Sequence, residues 1–242
     1  MYDTGRIHAT PARNENRADR FALWRVRNVC FRSPVCRQLW YHEPMHTAGS
    51  VREPYTENKA GQWLLGLLAR EDVFTALILN AEEVCEAAPE VIAAIGFDQC
   101  NPHHPYDVWV HTAHCVAYAA PVPILRLTLL MHDLGKPETF YRTEDEVGHF
   151  NRHEKKGEEI VRCRLAALGF DNETVETVAL LTRRHDKGIT ETELPRWLEE
   201  LGRERLKLLL DVKEADARAH DEKYKKIQLA RVAALRRRLA GL

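Results

Sequence analysis

Ile124-Leu-Arg-Leu-Thr-Leu-Leu-Met131-His132-Asp133-Leu-Gly135-Lys136-Pro137 is the stretch on which the reading of this chain turns. Ile124–Leu134 reads as a strongly apolar helix, and Gly135-Lys136-Pro137 is its stop signal. An imidazole and a carboxylate at the end of such a helix need partners, because a buried unpaired charge is costly. A divalent cation satisfies both at once: histidine offers a neutral nitrogen and aspartate an anionic oxygen. Adjacent helical side chains splay by about 100°, so a cation lying between the two directions can take both. Taken alone, the dipeptide also has a plain structural reading, a His–Asp hydrogen bond that ends a helix.

Three features around the pair sharpen the chemical reading. His111 lies one helix upstream, followed by Thr112. Gly135-Lys136 puts a flexible backbone and a cation where a phosphate would dock. Asp216 sits on a later helix among Leu208–Leu210, Ala215, Ala217 and Ala219, again a carboxylate on a largely apolar element. One His, one His-Asp pair and one distant Asp make an N/O donor set suited to Mn, Fe, Zn, Ni or, less well, Mg. The plain alternatives are a packed core His111, a solvated Lys136, and an Asp216 paired with Lys213 or Arg218. Seven of the twelve histidines fall between His103 and His153, more imidazoles than a helical core needs for packing.

Elsewhere the text is helical from Asn58 onward. Trp63, Leu64, Leu67 and Leu68 recur at helix spacing, Val73–Val84 continues apolar, and Pro89 starts a short helix closed by Gly96. Asn101–Pro105 reads as a turn that leaves His103 and His104 at the surface. Asp107–Ala119 is a helix carrying His111, with His114 and Cys115 assigned to packing. Thr139–Phe150 is a polar loop with a small hairpin around Gly148. Further helices are expected at Arg152–Leu168, at Asp171 (N-cap) to Thr182, at Leu194–Leu201, at Glu204–Ala219 and at Glu222–Leu239. No long alternating strand appears, so the fold class is all-α.

Residues 1–57 differ: nine Arg, no Lys and scattered Pro. They read as an Arg-rich appendage and linker, with short helices between Phe21 and Tyr41. Residues 58–242 form the main domain, ending in a basic helix.

Composition sets the outer limits. A chain of 242 residues, 45% hydrophobic and 29% charged, can bury a sizeable core. A formal net charge of -1 gives no global field toward nucleic acid or membrane. No apolar run is long enough to span a bilayer, and Met1–Arg13 lacks a secretory pattern, so the expected compartment is the cytoplasm. The six cysteines form no CxxC pair, which argues against a zinc ribbon.

Asp107-Val-Trp-Val-His111-Thr, Met131-His132-Asp133-Leu-Gly135-Lys136-Pro137 and Gly148-His149-Phe150-x-x-His153-Glu154 resemble an HD phosphohydrolase domain. More narrowly they resemble the HD domain behind the catalytic head of bacterial CCA-adding tRNA nucleotidyltransferases and poly(A)-polymerase-like proteins. Ile95-Gly-Phe-Asp-Gln99, Asn101-Pro102-His103-His104, Arg183-x-His185-Asp186 and Ala215-Asp216-Ala217 extend the likeness over residues 60–220. It implies metal ligation by His111, His132, Asp133 and Asp216, with His153 and His185 serving a second ion or the substrate phosphate. Arg152 departs from the small residue that relatives carry there, which leaves the number of ions at one or two.

The implied activity is phosphomonoester or phosphodiester hydrolysis of a nucleotide, cyclic nucleotide or RNA end, through a water activated by the metal. Asp133, Lys136, His153 and His185 are the catalytic candidates, and Lys136, His149 and Arg152 the substrate-binding ones. No Asp-x-Asp pair is present, so an HD module without a nucleotidyltransferase head is expected. The competing readings are a non-catalytic RNA- or protein-binding module, and a triphosphate hydrolase using Lys136, Arg152 and Arg183. Lys223, Lys225, Lys226, Arg231 and Arg236–Arg238 suit RNA contact or simply a solvated helix.

Overall fold

The computed structural model describes residues 53–242; the short helices expected between Phe21 and Tyr41 lie outside that range. Helices α1 (Lys59–Leu68), α2 (Val73–Leu79) and α3 (Ala81–Ala87) lead through a 3-10 turn, Pro89–Ala93, to α4 (Val108–Tyr118) and α5 (Pro123–Met131). A single helical turn, α6 (Lys136–Thr139), precedes a hairpin of β1 (Tyr141–Arg142) and β2 (Gly148–His149). Then come α7 (His153–Ala167), α8 (Asn172–Arg184), α9 (Leu194–Leu201), α10 (Arg203–Arg218) and α11 (Glu222–Ala240). The fold is all-α, with those two short strands paired antiparallel.

Local chemistry sets the helix starts. Asn58, Asp107, Asp171 and Asp221 each accept hydrogen bonds from first-turn backbone amides of the helix that follows, satisfying donors that have no intrahelical partner. The expected Val73–Val84 helix breaks at Asn80, whose side-chain amide donates to the Ala76 carbonyl at 2.7 Å and ends α2. The run after Pro89 closes as a 3-10 turn rather than an α-helix. Helix α5 ends at Met131, short of the expected Leu134, and Lys136-Pro137 begins α6, because proline near a helix start loses no needed hydrogen bond. Helix α8 continues two residues past Thr182, to Arg184. Tyr55 and Thr56, read as linker, dock on the α7–α8 turn: Thr56 Oγ1 donates to the Leu168 carbonyl at 2.6 Å, and Asp171 N to the Tyr55 carbonyl.

Helix α5 is the axis of the domain. Every side chain from Ile124 to Met131 is buried, and α1, α4, α8 and α10 pack around it. An element apolar on all sides belongs in a core. A second cluster, built from Leu181, Trp197, Leu209, Val232 and Leu235, joins α9 and α11 to the side formed by α8 and α10.

One buried cation ties this frame together. Arg126 donates to the carbonyls of Leu68 (2.6 Å), Arg70 (2.8 Å) and Ala119 (3.4 Å), at the C-terminal ends of α1 and α4. Terminal helix carbonyls lack intrahelical donors and carry partial negative charge, so the guanidinium fills a need at two helices at once. Arg126→Met should therefore lower unfolding stability by about 2–4 kcal/mol through orphaned buried carbonyls. Urea denaturation measures this; a change below about 0.5 kcal/mol, the range of ordinary surface substitutions, would remove Arg126 from that role.

Candidate metal centre

The His132-Asp133 pair lies at the C-terminal end of α5, with His132 still in helical geometry as its C-cap. His185 is the C-cap of α8, and Asp216 stands in the last turn of α10. Three helix C-termini, each bearing partial negative charge, thus meet at one place, an arrangement that favours a cation. His111 reaches in from the middle of α4 and His153 from the first position of α7.

The carboxylate of Asp133, 2% exposed, faces two groups of nitrogens. Its Oδ2 lies 3.2 Å from His132 Nε2, 3.5 Å from His111 Nε2 and 2.7 Å from Lys136 Nζ. Its Oδ1 lies 3.5 Å from His153 Nε2 and 3.6 Å from His185 Nε2. Asp216 Oδ1 closes the first group, 3.1 Å from His111 Nε2 and 3.9 Å from His132 Nε2. All six candidate ligands therefore converge. Asp216 makes no ion pair with Lys213 or Arg218: Lys213 donates to the carbonyls of His185 and Lys187, and Arg218 pairs with Glu214.

The backbone decides which nitrogen each imidazole offers. Nδ1 of His132, His153 and His185 sits 2.6, 2.9 and 2.7 Å from the carbonyls of Leu129, Phe150 and Thr182. A carbonyl only accepts, so in each ring Nδ1 carries the proton and Nε2 presents its lone pair to the centre. His153 Nε2 and His185 Nε2 lie 3.2 Å apart, two acceptors facing one another. His132 Nε2 and Asp133 Oδ1 are buried without a hydrogen-bond partner. Orphaned buried acceptors around a common centre fit a divalent cation.

The electrostatics separate the histidines. Burial pushes His111 down despite the pull of Asp216, and burial together with His185 does the same to His153; both are neutral donors at pH 7. Burial also acts against the charged form of His132, yet Asp133 and Asp216 carry it above the ordinary value. For the two carboxylates burial works upward, but His132 and Lys136 hold Asp133, and His220 and His111 hold Asp216, well below the usual range.

The substrate-side candidates are placed differently from one another. Lys136 is buried, its ammonium held between Asp133 and the Gln99 side chain (2.8 Å) and 5.3 Å from the Phe150 ring centroid. His149 belongs to the hairpin, stacked on Tyr141 and 3.2 Å from Thr143 Oγ1. Arg152 is exposed and caps the N-terminus of α7 with a left-handed backbone, φ 65°. Arg183 is committed to Glu154 and Glu158, which weakens the triphosphate pocket that Lys136, Arg152 and Arg183 would have formed.

Three neighbours escaped the sequence reading. His104 turns inward from its loop and packs tilted against His220, ring centroids 4.4 Å apart, and burial pushes its pKa down to about 2. His103 stays outside on Asp221 at 2.7 Å. His220 itself lies 3.6 Å from Asp216 Oδ1; its i,i+4 spacing from Asp216 was the available signal. Cys115, one turn after His111, puts its sulfur beside the same cluster. His114 points elsewhere, packed against Phe74, Tyr106 and Tyr118.

A cleft of about 750 Å³ opens beside His185 and Asp216. Asp186, Lys187, Lys213, Tyr224, Gln228 and Arg231 are among its walls.

Residues 103–221 match the HD domain family. A CC-adding tRNA nucleotidyltransferase of Thermus thermophilus is 41% identical over 105 residues, covering 40% of this chain and 24% of that protein. The chain thus spans about a quarter of the length of this curated relative.

Assembly of the site depends on a close backbone approach. A Cβ on Gly135 would stand 2.2 Å from the His153 carbonyl oxygen and 2.8 Å from Gly157 N, so α7 and the turn after His-Asp meet only because that side chain is absent. Gly135→Ala should destabilise the fold by about 1–3 kcal/mol or more and separate His153 from Asp133. A denaturation midpoint equal to wild type would contradict this contact.

Proposed function

We propose, from the match of residues 103–221 to the HD domain family, that this chain is a divalent-metal-dependent phosphohydrolase acting on a nucleotide, a cyclic nucleotide or an RNA end. The family is in general one of metal-dependent phosphohydrolases. The observation that carries the reading is Asp133, whose two oxygens face two separate nitrogen clusters inside a buried pocket. A carboxylate so placed would serve as a ligand to an ion held by either cluster. His111, His132, Asp133 and Asp216 would hold the first ion; Asp133, His153 and His185 the second.

When bound, such ions supply Lewis acidity toward phosphoryl oxygens and toward the attacking water. The protein's own contribution is orientation and charge. The carbonyls of Leu129, Phe150 and Thr182 lock three imidazoles in the ligating tautomer. Lys136 offsets the charge on Asp133 from inside the pocket, and Gln99 keeps its ammonium in place. The depressed His153 suits a ligand better than a proton store.

A phosphoryl group would enter past Asp216, whose side chain is 23% exposed, while the cleft volume of about 750 Å³ falls in the range of small-molecule sites. Arg152 at the N-terminus of α7 and Arg231 on the cleft wall offer positive charge to phosphate; His149 would act on substrate through the hairpin. An RNA end is favoured as one substrate by the tRNA named for the Thermus relative and by the lysines and arginines of α11. Part of that charge is already internal: Arg236 pairs with Asp211 and Glu214, and Lys225 with Glu222.

Elemental analysis of the purified chain, paired with a phosphate-release screen over mononucleotides, cyclic nucleotides and RNA bearing terminal phosphates, tests the proposal. Bound transition metal and turnover are expected. In Asp133→Ala both should fall, turnover by more than the roughly 10–100-fold that losing a supporting residue costs. Undiminished hydrolysis in that variant would overturn the mechanism, and a folded chain inert with every added metal would favour a binding module.

A further inference from the structure

Cys115 is 0% exposed and sits one helical turn after His111, on the same face of α4. Its Sγ is 3.4 Å from His111 Nε2 and 4.0 Å from Asp216 Oδ1. The donor atoms of His111, Cys115, His132 and Asp216 all lie within 4.8 Å of one another. Ligand bonds of about 2.0–2.3 Å at tetrahedral angles would space donor atoms about 3.3–3.8 Å apart, and the separations of His111 from Asp216 and Cys115, and of Asp216 from His132 and Cys115, run from 3.1 to 4.0 Å. A second feature points into the same space: His132 Nε2 is fully buried and has no hydrogen-bond partner.

We propose that Cys115 is a sulfur ligand of the first metal ion, adding one sulfur to the nitrogen and oxygen donors of His111, His132, Asp133 and Asp216 and giving a set that prefers Zn²⁺, Co²⁺ or Fe²⁺ to Mg²⁺. The inference rests on the metal-centre reading above and deepens it. Thiolate is soft, whereas Mg²⁺ selects hard oxygen donors, so one sulfur shifts the selectivity of an otherwise His/Asp site. Coordination then breaks the S–H bond, forms the S–metal bond and releases the proton to solvent, with no change of oxidation state. The alternative role is packing, with the thiol donating weakly to His111 Nε2.

Titration of the full-length, metal-stripped, reduced chain with Co²⁺ separates the two by spectroscopy. The expected result is visible d–d absorption from bound Co²⁺ together with a near-ultraviolet sulfur-to-cobalt charge-transfer band. In both Cys115→Ser and Cys115→Ala, the d–d bands should remain and the charge-transfer band should vanish. In Zn²⁺/Mn²⁺ competition, the same variants should lose Zn²⁺ preference by about tenfold or more. Bound Co²⁺ in wild type without the charge-transfer band, or the band persisting in both variants, would overturn the Cys115 assignment and leave the metal centre standing. Failure of wild type to bind Co²⁺ at all would instead sink the metal-centre reading itself.

Discussion

A carboxylate that ends a wholly buried helix has to be compensated within a few ångströms, and Asp133 shows how much of a fold that requirement organises. Two imidazoles and an ammonium attend one oxygen and two further imidazoles the other. Each partner arrives on a different element: α4, the end of α5, α6, α7 and the end of α8. The energetic stake is high, because an uncompensated ion in such a place costs several kcal/mol. The domain is therefore assembled around a charge that packing alone would never tolerate.

The supporting frame is correspondingly rigid. Arg126 stitches the ends of α1 and α4 to α5 through carbonyls that would otherwise be orphaned. Gly135 lets α7 approach closely enough for His153 to face Asp133. Local backbone carbonyls orient three histidines, so the direction of each lone pair is set within its own helical turn or loop. Such preorganisation matters for metal affinity, since ligands held in place lose little freedom when an ion binds.

Charge is distributed unevenly between the site and its approaches. The pocket itself holds two anionic carboxylates, while the exposed cations, Arg152 and Arg231, stand on the α7 terminus and the cleft wall. Lys136, which a linear reading offers to a docking phosphate, is held by Asp133 and Gln99. Under the proposed function, attraction of a phosphate would fall to residues at the rim rather than to the lysine adjacent in sequence.

Much of this was legible along the chain. The apolar run before His132-Asp133 specifies a buried helix, the Asp and Asn caps specify where helices begin, and the ordered His, His-Asp and Asp motifs specify which side chains to watch. Those are local properties, carried by residue type and spacing. Only the tertiary structure decided that His104 turns inward while its neighbour His103 faces solvent, that His220 and Cys115 join the cluster, and that Lys136 and Arg183 are occupied by carboxylates. These outcomes depend on which helices cross and at what distance. Sequence spacing carries no record of that geometry once partners lie a hundred residues apart, as His111 and Asp216 do at a separation of 105.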